Sequence, residues 1–466
     1  MSLPDRVGRS LFVALAVGMA WGIRGDFGHL IGAMYPGAAL AMALAYVSGQ
    51  ASMAAWMPVL AALAALGIGS GGTMSYGMLH GYAQADIPVN YAYGFGTLFL
   101  QGSAWGTFGG ALIGLMLERR PMRTADWLAL AACILGGGWV ASFLVVDVLG
   151  FQINPPRNNG SIGYFGAAIG QIAWLVASDR RMGLRGAVLG YVGFGLGMAG
   201  GRLLGNLANV GQVPYGYTIN HWNVMETSCG MIAGFIYAFG MLGQAFPTPA
   251  PEDRLSLGVA SAWSIAFVLA GIPAWHRLAR IQPQKKLAEW SGLLGGYGYA
   301  DPDGLARKVL WMLDGTCVLG LVGAALWMAI YLGHDRNRRP SPLPVLWLSL
   351  TMLLFQNINA LYFFYPIRPN LINMHSVFWV LFALMALYAA FARPSESAVA
   401  APEVDGLEPE APFAWAAWLG GSLVALTLII LLAGLVNGPT TMATANTRWP
   451  VWSWSQGPFP GRVAGP

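Results

Sequence analysis

Long apolar runs follow one another along this chain, separated by short polar interruptions. An α-helix needs about 18 or more mostly apolar residues to cross the hydrocarbon core of a bilayer. Thirteen such segments occur, near residues 8–24, 29–48, 54–74, 94–117, 126–149, 161–178, 186–205, 222–243, 255–273, 308–333, 343–365, 372–392 and 413–436. The strictly alternating segments of a transmembrane β-barrel are missing. The pattern predicts an all-α polytopic membrane protein of about thirteen transmembrane helices, the first of them a retained helix and not a cleaved leader.

Short likenesses recur in the same order along the chain. "GMAWGIR" (18–24) resembles "GMAGGR" (197–202), and "GYAQADIP" (81–88) resembles "GYGYADP" (296–302). "GGALIG" with "ERRP" resembles "GAALWM" with "NRRP", and "PPRNN" (155–159) resembles "PIRPN" (366–370). These predict a parallel internal repeat of six plus six helices, over residues 1–180 and 181–393. An acidic Pro/Ala linker follows at 394–412, then an extra helix and a Trp/Pro-rich tail at 413–466. Glycines four apart (102, 106, 110, 114 and 193, 197, 201, 205) predict smooth helix faces that let another backbone come close.

Composition agrees with the pattern. The chain is 56% hydrophobic and 10% charged, against about 25% charged in soluble domains. The net charge of +5 comes mostly from basic loops, which in a membrane protein signals orientation, with no nucleic-acid partner implied. Arginines cluster at 6 and 9, at 119, 120 and 123, at 180, 181 and 185, and at 336, 338 and 339. With a cytoplasmic N-terminus all four clusters fall on the cytoplasmic side of a cell's inner membrane, and the C-terminus falls outside. The basic stretch 274–308 dissents. Cys133, Cys229 and Cys317 lie in apolar segments without metal or disulfide spacing, so no metal and no cofactor is expected.

The same topology gathers the remaining polar groups on the extracytoplasmic side. The stretch "WGIRGDFGH" puts Arg24, Asp26 and His29 where two apolar segments meet. A charge in hydrocarbon costs about 2.5–3.5 kcal/mol even on a lenient scale, so these groups should face protein or a wet cavity. The expected local structure is a helix end, a tight turn and a new helix from His29, with Pro36 inside it. Arg24 and Asp26 either cap that turn as a pair or serve a ligand. The second half offers Arg202, with Glu226 as its nearest acidic candidate. Arg24, Arg202, Arg368, His29, His221, Asn370 and His375 are the candidate anion-binding residues, since arginine grips carboxylates and phosphates in two-pronged fashion. Asp26, Glu226 and Asp314 are candidates for ion coupling. No residue is assigned as catalytic.

Three functions fit. The first is a secondary transporter of a small polar, anionic solute, such as an organic or sugar acid, through a site between the repeats. The alternative is a membrane-embedded enzyme with an extracytoplasmic site for a lipid-linked or periplasmic substrate. The third is a structural subunit of a membrane assembly, for which the C-terminal helix would contact a partner or a second copy of the chain.

Overall fold

The computed structural model describes residues 1–74, 76–118, 120–153, 160–210, 220–244, 246, 254–333, 340–364, 374–392 and 413–438. Among these residues there are sixteen α-helices and no strand. They are α1 (Leu3–Ile23), α2 (His29–Ser48), α3 (Ala51–Ser70), the short α4 (Gly77–Tyr82), α5 (Pro88–Met116), α6 (Thr124–Ala141), α7 (Gly160–Ala177) and α8 (Arg181–Val210). Then come α9 (His221–Met241), α10 (Arg254–Ile265), α11 (Ile272–Arg280), α12 (Pro283–Gly296), α13 (Pro302–Gly333), α14 (Leu343–Asn359), α15 (Met374–Phe391) and α16 (Trp415–Val436). A π-helical turn, Ala266–Gly271, carries α10 into α11.

Ten described helices are long and apolar enough to cross a membrane. The other three expected segments fall on α5, α14 and α15, which are not among the ten. The chain is therefore an all-α, multi-pass membrane protein. The acidic linker and the Trp-rich tail lie outside the described residues.

Six helices close a ring: α1 packs on α2, α2 on α3, α3 on α5, α5 on α8, α8 on α9, and α9 back on α1. The ring takes four helices from residues 1–180 and two from 181–393, so its packing crosses the expected boundary. Outside it, α6 pairs with α7, and α16 lies against α8 and α5. A second group forms around α13, which packs on α12, α14 and the π-turn, and this group meets the ring where α10 touches α3 and α14 touches α2.

The glycine rows explain the tightness of the ring. A Cβ at Gly102, Gly106, Gly110 or Gly114 of α5 would overlap the carbonyl oxygens of Phe194, Gly190, Gly186 and Met182 on α8. The row at 193, 197, 201 and 205 faces α9 instead, where added Cβ atoms would stand 2.5–3.1 Å from the carbonyls of Ala233, Cys229, Met225 and His221. Removing Cβ atoms brings backbones into contact where no hydrophobic drive exists between helices.

The two ends of the ring differ in chemistry. At one end arginines satisfy carbonyls at helix C-termini, where cations are favourable. Arg9 donates to Val47 O at 2.8 Å, Arg6 Nε to Phe239 O at 2.6 Å and Arg185 to Gly240 O at 2.9 Å. Arg180 joins them, 2.9 Å from Asp126. At the opposite end lie the turn between α1 and α2, the short α4, and the starts of α5 and α9.

Candidate functional site

At that second end α1 stops at Ile23, a 3-10 turn spans Arg24–Phe27, and α2 starts at His29, with Pro36 inside it. Gly28 allows the reversal: its φ of 78° is open to glycine and strained for other residues, and a Cβ there would overlap the Arg280 guanidinium. With three residues per turn, positions two apart on a 3-10 helix face different sides. Arg24 accordingly enters the ring, while Asp26 is exposed and accepts from Gln356 Nε2 on α14 at 2.7 Å. Phe27 packs against His276 and Phe355, with ring centroids 4.3 and 5.4 Å away.

Arg24 and Asp26 do not pair across the turn, and Arg24 has a longer-range partner instead. Arg24 Nη2 donates to Glu226 Oε1 on α9 at 2.9 Å, and the same nitrogen donates to the Tyr76 hydroxyl. Tyr76 in turn donates to Glu226 at 3.5 Å. Burial pushes the Tyr76 phenol up to about 12 against the opposing pull of Arg24, so it keeps its proton. Three aromatic rings surround the guanidinium: Trp21 at 4.8 Å, and Tyr76 and Trp105 at 5.3 Å each. Such faces attract a cation when water is excluded. Arg24 is 1% exposed, yet its Nε and Nη1 have no partner.

Arg202 sits at 0% exposure on α8. Glu226, expected as its nearest acid, belongs to Arg24. Arg202 Nε instead donates to Asn206 Oδ1, one turn on, at 2.6 Å. Asn206 Nδ2 donates to Ala83 O at 3.0 Å and to Asn437 Oδ1 at 2.8 Å, which ties the end of α16 to the site. Nη1 and Nη2 of Arg202 have no partner.

His80 of α4 joins the two arginines. Its ring lies 5.2 Å from Tyr76 and 5.3 Å from Trp222, and Trp222 lies 5.8 Å from the Arg202 guanidinium. His80 is fully buried and neither ring nitrogen has a partner. Burial, then Arg202, then Arg24 hold its pKa well below the ordinary histidine value, so the imidazole is neutral. His29, 5.0 Å from Tyr76, and His221, 5.9 Å from Trp222, stand at the edge of the group, one exposed and the other half-buried.

The structure thus brings together Arg24, Arg202, Glu226, His29 and His221, with Asp26 on the outer side of the same turn. It does not bring in Asp314, expected as a lone intramembrane acid. Asp314 is half-exposed on α13 and pairs with Arg277 of α11 at 2.7 Å, so its charge is already matched on another face. Arg368 and Asn370 lie outside the described residues, as does the side chain of His375. Tyr76 and Trp222 were not legible as site residues, because aromatic residues near helix ends are expected as interfacial anchors, and Trp105, well inside α5, reads as helix packing. The adjacency of "HW" at 221–222 to the polar "NVMET" was the available signal.

Among the described residues no group of three or more His, Cys, Asp or Glu side chains is placed to hold a metal ion. No family model matches the chain, and comparison with curated proteins and with solved structures finds no match.

Proposed function

We propose that the protein is a secondary transporter of a small anionic solute, an organic or sugar acid, which binds beside Arg24 and Arg202 inside the helix ring. One observation carries this reading: two buried arginines leave four guanidinium nitrogens without a protein partner, while the cluster supplies a single carboxylate. Buried donors without partners cost about 1–3 kcal/mol each, more when charged, and an anion entering the ring would relieve that cost. Glu226, between Arg24 and Tyr76, is placed to couple proton binding to solute binding.

The same proposal holds that all thirteen segments cross the membrane, that the helices form a six-plus-six repeat, and that the arginine-capped end faces the cytoplasm. It includes the inner membrane as the location and the exposed side of α16 as the contact for any partner or second copy.

Reconstitution tests it. Proteoliposomes preloaded with lactate, gluconate, succinate or citrate should exchange at least one of them saturably against labelled solute outside. Arg24→Lys keeps the charge and loses the two-pronged fork, and should cut exchange by about tenfold or more. Exchange no faster than in empty liposomes for every acid refutes transport of this class.

The one-ended position of the cluster favours a second reading, an enzyme acting from that face of the membrane. Neutral His80, with both nitrogens free of partners, would then be its acid/base group. Turnover of a membrane-derived substrate that stops in His80→Gln, without solute exchange, would favour it.

A further inference from the structure

The charges within the cluster narrow the class of ligand, and this narrowing rests on the proposed reading of the site as one for an anion. Arg24 and Glu226 form an ion pair closed by the Tyr76 hydroxyl, so together they bring no net charge. His80 is neutral. Arg202 is different: it is 0% exposed, and its one hydrogen-bonding partner is the neutral amide of Asn206. That amide is itself occupied by Ala83 O and Asn437 and has no charge to offer. Among the described residues inside the ring, one positive charge is left without a counter-charge.

A buried charge without a counter-charge is strongly unfavourable, far more so than a buried pair. The free donors Nη1 and Nη2 belong to that same unmatched group. Two terminal guanidinium nitrogens are the prongs that grip a carboxylate or a phosphate monoester. Trp222, 5.8 Å from the guanidinium and 5.3 Å from His80, supplies an apolar wall between them. The two partnerless nitrogens of His80, one a donor and one an acceptor in the neutral ring, suit a hydroxyl group on the same ligand.

We propose that Arg202 is the anion receptor of this site and that its ligand is a monoanion: one carboxylate or singly charged phosphoryl group on Arg202, with a neutral hydroxylated body against Trp222 and His80. Arg24, already matched by Glu226, adds hydrogen-bond donors to the site but no unmatched charge. A dianion would bring a second negative charge into the ring, where the described residues supply no further unmatched cation.

Calorimetric titration of the purified, detergent-solubilised full chain with lactate, gluconate, glycerol 3-phosphate and succinate at pH 7 tests the assignment. The expected result is one lactate or gluconate bound per chain, with succinate and glycerol 3-phosphate, largely dianionic at that pH, weaker by about tenfold or more. Arg202→Gln should abolish monoanion binding, whereas Asp314→Asn, at the ion pair with Arg277 on another face, should keep it within about threefold. Arg202→Met should also raise the melting temperature of the ligand-free protein, because it removes an unmatched buried charge.

Succinate binding as tightly as lactate, or unchanged binding in Arg202→Gln, overturns the proposal. So does failure of both monoanions to bind, combined with no stabilisation in Arg202→Met. If Arg202→Gln does not fold, Arg202→Lys decides: equal affinity there refutes a two-pronged grip. Solute exchange that survives Arg202→Gln sinks this assignment alone, whereas binding at Arg202 without exchange of any acid sinks transport alone.

Discussion

Glu226 balances the charge of Arg24 inside the ring, so single changes here should be costly. Glu226→Gln strands a buried arginine, and loss of one partner of a buried pair destabilises by about 3–5 kcal/mol. The expected outcome is a clear fall in melting temperature in detergent. Arg24→Leu together with Glu226→Leu should recover most of that fall, since no charge is then left behind. A double variant as unstable as the single one would show that the pair matters through its geometry. At this scale the sequence was legible in part. Arg24, Arg202 and Glu226 stood out because charges in apolar segments are expensive. Their pairing did not, because Glu226 lies 202 positions from Arg24 and Asp26 only two. Proximity in sequence favoured Asp26, and the three-residue period of the turn then carried the two side chains apart.

At the scale of helices, the glycine spacing specifies contact without naming a partner. The rows on α5 and α8 were visible as repeats of four, and each is indeed a close-contact face. That the α5 row meets Gly186 and Gly190, and leaves the second α8 row to α9, depends on tertiary packing that spacing alone does not encode. Gly106→Ala places a methyl group onto the carbonyl of Gly190 and must push α5 from α8. Overpacking costs about 1–3 kcal/mol, and melting in detergent should fall accordingly. Gly136→Ala on α6 is the matched control: nothing lies within 4 Å of its added Cβ. Alanine there should leave stability unchanged or raise it by up to about 1 kcal/mol. Equal losses at both positions would contradict the close approach of α5 and α8.

For the whole molecule, the apolar pattern was enough to reach an all-α, multi-pass membrane protein, since few other structures can satisfy a backbone in lipid. The six-residue α4 was not legible: "GMLHGY" is too short and too glycine-rich to register as an element, yet it delivers His80. Orientation can be checked directly. Arg120 is exposed at the arginine-capped end, and Asp86 is exposed at the other. In intact cells an impermeant thiol reagent should label Asp86→Cys and spare Arg120→Cys until the membrane is opened. The reverse result would invert the topology and place the cluster on the cytoplasmic face.

The turn at Arg24–Phe27 joins these scales. Arg24 is held by Glu226 on one side and Asp26 by Gln356 on the other, with only Gly25 between the two attachments. Phe27, the last residue of the same turn, packs between His276 of α11 and Phe355 of α14, so one short turn touches both helix groups. The ring and the second helix group are thus linked through four residues. A ligand that shifted Arg24 would therefore be expected to change the surroundings of Asp26 and Phe27, on helices that it never touches.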